Sequence, residues 1–145
     1  MKKFILLLFL ALPFVSKAQD ATWLPIDGEP NLWILDSYEV EINPAGYTFY
    51  FRDEDLSRIK SFWYVSNQLS DYQKNAIAFK IIVVRVNESF EKYCIVGSGL
   101  YDKNGNAIDE VFLDNITKRD FEKLKEGTRA YDYASYGYQL LNIGR

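Results

Sequence analysis

Residues 76–101 read AIAFKIIVVRVNESFEKYCIVGSGLY, and this stretch decides the fold. Ala76–Val86 is a continuous, β-branched apolar run, the pattern of a buried strand. Asn87-Glu88-Ser89 is a turn signal, and Glu91–Tyr101 returns as the antiparallel partner. Gly97 and Gly99 predict a bulge or a sharp bend in the return strand. Downstream, Asp102-Lys103-Asn104-Gly105-Asn106 is a tight-turn sequence, because Asn and Gly tolerate positive φ. Ala107–Leu113 then makes a third consecutive strand.

Upstream, Tyr47–Arg52 places Tyr47, Phe49 and Phe51 on one face and Thr48, Tyr50 and Arg52 on the other. That period of two predicts a half-buried strand. The break Asn43-Pro44-Ala45-Gly46 joins it in a hairpin to Leu32–Ile42, which ends with Val40 and Ile42 alternating against Glu39 and Glu41. Thr22–Ile26 is a first short strand, closed by Asp27-Gly28-Glu29-Pro30. Ile59–Val65 is expected as a strand and Gln68–Asn75 as a loop. Thr117 as N-cap, Asp120 three residues on and Gly127 as a stop predict a helix between them. The tyrosine-rich tail, Thr128–Leu141, fits either a closing strand or a second helix. The expected class is α+β: a mainly antiparallel sheet of about six strands packed with one or two short helices.

The 145 residues include 17 basic and 20 acidic side chains, no histidine and one cysteine. Without histidine there is no Ser-His-Asp or Cys-His nucleophile, no imidazole base and no histidine-bearing zinc site. One cysteine excludes an internal disulfide and any multi-cysteine metal centre. The acidic balance offers no footprint for nucleic acid, and nothing in the chain calls for a cofactor.

Lys2 and Lys3, the apolar run Phe4–Val15 and the small residues of Ser16-Lys17-Ala18 form a signal-peptide pattern of bacterial type. Cleavage is expected between Ala18 and Gln19, leaving one domain, residues 19–145. The apolar run is short for a membrane span, and no later one approaches eighteen residues, since the longest, Ala76–Val86, contains Lys80 and Arg85; no stable membrane insertion is therefore expected after cleavage. The expected location is periplasmic, or secreted to the cell surface. Removing Lys2, Lys3 and Lys17 leaves 14 basic residues against 20 acidic ones, a balance of −6.

Asp102, Asn104 and Asn106 alternate as calcium ligands do, but Gly105 and Leu113 do not stand where a calcium loop needs its glycine and its closing glutamate. A hairpin turn is the expected role, and no metal site is assigned. Cys94, in the apolar Tyr93-Cys94-Ile95-Val96, is expected as a buried small hydrophobe, with an intermolecular disulfide as the alternative. Asp53, Glu54 and Asp55 could supply paired carboxylates for a hydrolase, although a solvated strand end is the simpler reading. The aromatic residues carry the functional expectation. Tyr and Trp offer large contact area on few rotatable bonds, and Tyr50, Trp63, Tyr136 and Tyr138 are the candidates for an exposed binding surface.

Trp23, the strand Trp33-Ile34-Leu35-Asp36-Ser37, the pair Tyr93-Cys94 and the run Tyr101-Asp102-Lys103-Asn104-Gly105-Asn106-Ala107-Ile108 together resemble the surface-adhesin protein E family of small secreted bacterial proteins. The resemblance implies an antiparallel sheet packed with helix, pairing into homodimers and adhesion to host matrix proteins. Family members commonly carry a second cysteine near the C-terminus. The tail around Tyr136–Tyr138 has none, which leaves Cys94 free or intermolecular. The expected function is a non-catalytic interaction module with a protein partner, either a host matrix protein or a second copy. A curved-sheet carrier of a small apolar ligand, held between sheet and helix, is the alternative, and a carboxylate-based hydrolase a more distant one.

Overall fold

The hairpin expected from residues 76–101 forms, and the rest of the sheet is built outward from it. The computed structural model describes residues 21–143, so the expected signal peptide at residues 1–18 lies outside the described residues. Strands β1 (Trp23–Ile26), β2 (Glu29–Leu35), β3 (Glu39–Ile42) and β4 (Ala45–Asp53) precede three short helices, α1 (Leu56–Ser61), α2 (Trp63–Gln68) and α3 (Asp71–Ala76). Strands β5 (Phe79–Asn87), β6 (Lys92–Tyr101), β7 (Ala107–Phe112) and β8 (Glu122–Lys123) follow, and α4 (Arg129–Ile143) ends the chain.

All pairings are antiparallel, and the order is β1-β2-β4-β5-β6-β7. The class is therefore α+β, as expected. Among the described residues eight strand segments fill six rows, because β3 continues the row of β2 along β4 and β8 continues the row of β7 along β6. Leu32–Ile42 is not one strand. Ile34 faces Phe51 and Glu39 faces Thr48, so five steps on one side match three on the other, and Asp36-Ser37-Tyr38 loop out between. In β6 the register slips beside Gly97, between the partners of Val83 and Val84, as the glycines predicted.

The sheet has two apolar faces. Leu32, Ile34, Phe49, Phe51, Ile82, Val84 and Val86 pack under Tyr133, Ala134 and Leu140 of α4. Further along, Ile59, Val65, Leu69 and Ile77 from the α1–α3 region close over Leu100. The opposite face holds Leu35, Tyr50, Phe79, Ile81, Val83 and Tyr101, and among the described residues no helix belongs to that cluster.

Among the described residues four helices form instead of one or two, and three expectations change. Ile59–Val65 is helix broken at Phe62, not strand: the Asp55 carboxylate caps α1 by accepting from the Arg58 N–H at 3.0 Å. Gln68–Asn75 is not a loop, because Ser70 and Gln73 form a reciprocal capping box that starts α3. Thr117–Gly127 is not a helix. Its capping box forms, with the Asp120 carboxylate accepting from the Thr117 N–H at 2.7 Å, but only a 3-10 turn follows. The chain is drawn to the sheet edge instead, where the Leu124 N–H donates to the Glu91 carbonyl at 2.9 Å. The tail resolves as the 15-residue helix α4. Among the described residues, no helix is long and apolar enough to cross a membrane.

Candidate functional site

Strand β3 is built inside out. Its sequence Glu39-Val40-Glu41-Ile42 alternates, yet both carboxylates turn to the face that lacks helices. Glu41 accepts from the Thr48 hydroxyl at 2.9 Å and pairs with the buried Arg85 guanidinium at 3.4 Å. Arg85 also donates to the Pro44 carbonyl at 2.6 Å. Glu39 accepts from the Tyr50 hydroxyl, and burial, reinforced by that carboxylate, pushes the Tyr50 pKa far up. With the acids fastened inward, Val40 and Ile42 point outward on the helix-bearing side, 68% and 89% exposed. Among the described residues β3 pairs only with β4, so its outer edge is open. An open edge flanked by exposed β-branched side chains is a template for another chain.

The surface beside β3 is aromatic. Tyr38 lies 6.0 Å from both Tyr47 and Phe49, Tyr47 lies 5.8 Å from Phe90, and Phe90 meets Tyr138 edge-on at 5.2 Å. Phe49 is the buried floor of this chain of rings, while Tyr38 and Tyr138 stand at its exposed ends. Phe90 reaches the cluster from the β5–β6 turn with φ at 57°. A bulky side chain rarely adopts that conformation, which costs on the order of 1–3 kcal/mol. Asn87 holds the turn, its side-chain carbonyl accepting from the Glu91 N–H at 2.9 Å and the Lys92 N–H at 2.7 Å. Beyond Phe90 a groove of about 260 Å³ runs along α4 between Leu124, Tyr131 and Tyr138.

Of the four expected surface aromatics, Tyr138 belongs to this patch and is 56% exposed. Tyr136 is half-buried on the other flank of α4, where its hydroxyl donates to Glu29 at 3.0 Å and burial leads in pushing its pKa up to about 12. Tyr50 is not exposed. It is 5% accessible, because β5 is apolar on both sides and its neighbour's second face is covered too. The Trp63 side chain lies outside the described residues. Tyr38, Val40, Ile42 and Phe90 were not among the expected site residues. The alternation in residues 39–42 was visible, but not which half of it turned outward.

Cys94 is free and 4% exposed, and burial raises its thiol pKa. A bond to another chain would require uncovering it. Asp53 accepts both Arg58 Nε and Nη2 at 2.9 Å, and Asp55 caps α1, so these carboxylates hold structure rather than face a cleft. Asp102 Oδ1 accepts from the Asn104 and Asn106 N–H groups at 2.9 Å each, which is how a turn uses it.

Glu29 ties β2 to α4 through a two-point contact with Arg129 and the hydroxyl of Tyr136. The Arg129 hydrogen bonds hold its pKa below 4.5, against the opposing effect of burial. A lowered folded-state pKa stabilises fully above the unfolded value, and that contribution is lost as pH falls through the folded value. Glu29→Gln is therefore expected to cost about 1 kcal/mol at pH 7. The gap from the parent should close on acidification below pH 4.5, as measured by urea unfolding at a series of pH values.

No family model matches this chain, and neither a curated protein nor a solved structure matches it.

Proposed function

We propose that this is an exported, non-catalytic interaction module that binds a protein partner through β3 and the rings from Tyr38 to Tyr138. The single observation that carries the reading is the inverted strand, with Val40 and Ile42 exposed while their glutamate neighbours are bonded inward. Exposed apolar residues next to one another mark interaction sites, and tyrosines at a patch rim are typical of recognition surfaces. The strained Phe90 backbone adds support, since such strain concentrates at functional positions. The signal-peptide pattern and the resemblance to the protein E family point to the cell exterior and to adhesion. A matrix protein or a second copy of the chain are both partners of this kind.

The test is a pair of surface substitutions, Val40→Lys with Ile42→Lys. Both side chains are solvated, so the stability change should stay within about 0.5 kcal/mol. A partner retained on the immobilised parent protein, from periplasmic, surface or host matrix fractions, should be lost on the variant. Retention of the same partner by both would overturn the assignment. The carrier alternative has its own groove, about 390 Å³ between α4 and the β1–β2 edge, lined by Leu24, Ile26, Ile34 and Leu140. A small-molecule adduct on the purified protein in native mass spectrometry, unchanged by the lysine substitutions, would favour it.

A further inference from the structure

A second site lies at the other end of the helix-bearing face, away from α4. There a cavity of about 200 Å³ opens between α1–α2 and the strands β5–β7. Lys80, Leu100 and Asp109 stand side by side across the three strands, in a row that continues on the other side of Lys80 to Asp53 of β4. Phe62, Val65 and Val111 supply apolar walls.

The polar groups in this cavity are unequally satisfied. Asp109 at one rim accepts from the Tyr64 hydroxyl, which raises the tyrosine pKa. At the other rim Lys80 Nζ rests 4.1 Å from the centre of the Phe62 ring. Among the described residues it has no hydrogen-bond acceptor and no carboxylate within ion-pair distance. A π face attracts the charge but leaves the ammonium hydrogens without acceptors. Burial lowers the Lys80 pKa, opposed by Asp53, its cross-strand neighbour on β4, whose carboxylate is held by Arg58. A half-buried ammonium without an acceptor, at the mouth of a cavity with apolar walls, favours an anion there, because a charge-assisted hydrogen bond is about twice as strong as a neutral one.

We propose that this cavity binds a small aromatic monocarboxylate, its carboxylate on Lys80 Nζ and its ring on Leu100 between Phe62 and Val111. Asp109, two strand spacings or roughly 10 Å from Lys80, sets the charge limit. A second anionic group reaching across the floor would meet it, so dianions are rejected. The volume of about 200 Å³ admits a ligand the size of benzoate.

The experiment is a titration of the isotope-labelled protein with benzoate and with benzamide, its neutral isostere, followed by NMR. Benzoate should shift the resonances of Lys80, Leu100 and Val111 and bind at least about tenfold tighter than benzamide, the margin of a hydrogen bond to a charged group. Lys80→Gln should abolish that preference and Lys80→Arg should retain it. Equal binding of the two compounds, benzoate shifts confined to other residues, or no shifts at all would overturn the proposal. If Lys80→Gln does not fold, the benzoate-to-benzamide ratio on the parent protein decides alone. Val40 and Ile42 are not in this cavity, so a failure here leaves the protein-binding surface untouched.

Discussion

Phe49→Ala is expected to lower the unfolding free energy by about 3–5 kcal/mol, the largest loss from any single truncation in the patch. The Phe49 ring is fully buried and serves both the core and the surface. Beneath α4 it packs with Leu32, Ile34, Val84 and Leu140 in one cluster. At its outer edge it touches Tyr38, Tyr47 and Phe90 at 6.0, 6.4 and 6.3 Å. Removing it leaves a cavity that three partly exposed rings cannot fill without leaving their own positions. A domain of this size has only about 5–15 kcal/mol to lose, so the variant should be marginal. Urea unfolding followed by tryptophan fluorescence measures the change. A loss under about 1 kcal/mol would mean that the ring does not bridge core and patch.

Gly137→Leu should destabilise by about 1–3 kcal/mol, and here the sign carries the information. Glycine inside a helix costs about 1 kcal/mol relative to better helix formers, so propensity alone predicts that leucine stabilises α4. The packing predicts the opposite. A Cβ at position 137 would lie 2.6 Å from two carbons of the Phe49 ring. That ring is enclosed on every side, so α4 would have to lift. Tyr138, the next residue, would then leave its edge-on contact with Phe90. The near-ultraviolet circular dichroism of the aromatic cluster should weaken along with the stability. A more stable Gly137→Leu protein would contradict the close approach of helix to sheet.

What the sequence made legible was the sheet. The β5–β6 hairpin, the period of two in β4 and the Asn-Gly turn before β7 are strong local signals, and each forms where expected. Short apolar runs were ambiguous. Residues 59–65 carry β-branched and aromatic side chains that suit a strand, and only the Asp55 and Ser70 caps, read as helix starts, would have pointed to helices. Thr117 and Asp120 show the converse. Their capping box is satisfied in a single turn, because a long-range bond to Glu91 takes the chain away. In the tail, Tyr133, Gly137 and Leu140 keep helical spacing, but a glycine in that stripe makes sense only once Phe49 lies against it.

The site was less legible than the fold, for a physical reason. Tyr50 shares a face with Thr48 and Arg52, and such polar company suggests solvent. The run Ile81–Val84 at the centre of β5 implied the reverse, since a strand apolar on both sides needs both sides covered. Val40 and Ile42 belong to a pattern that fits either orientation. Which half faces outward depends on Arg85, Thr48 and Tyr50 binding the glutamates, and these partners come from strands other than β3.

The most direct measurement places a photo-crosslinking amino acid in turn at Ile42, at Tyr138 and, as a control, at the exposed Tyr72 on α3, in the producing cells. One protein species, the same at Ile42 and Tyr138 and absent at Tyr72, is the predicted result. Crosslinks of equal yield to that species at Tyr72, or none at Ile42 and Tyr138, would contradict a partner-binding surface built on β3 and the aromatic cluster.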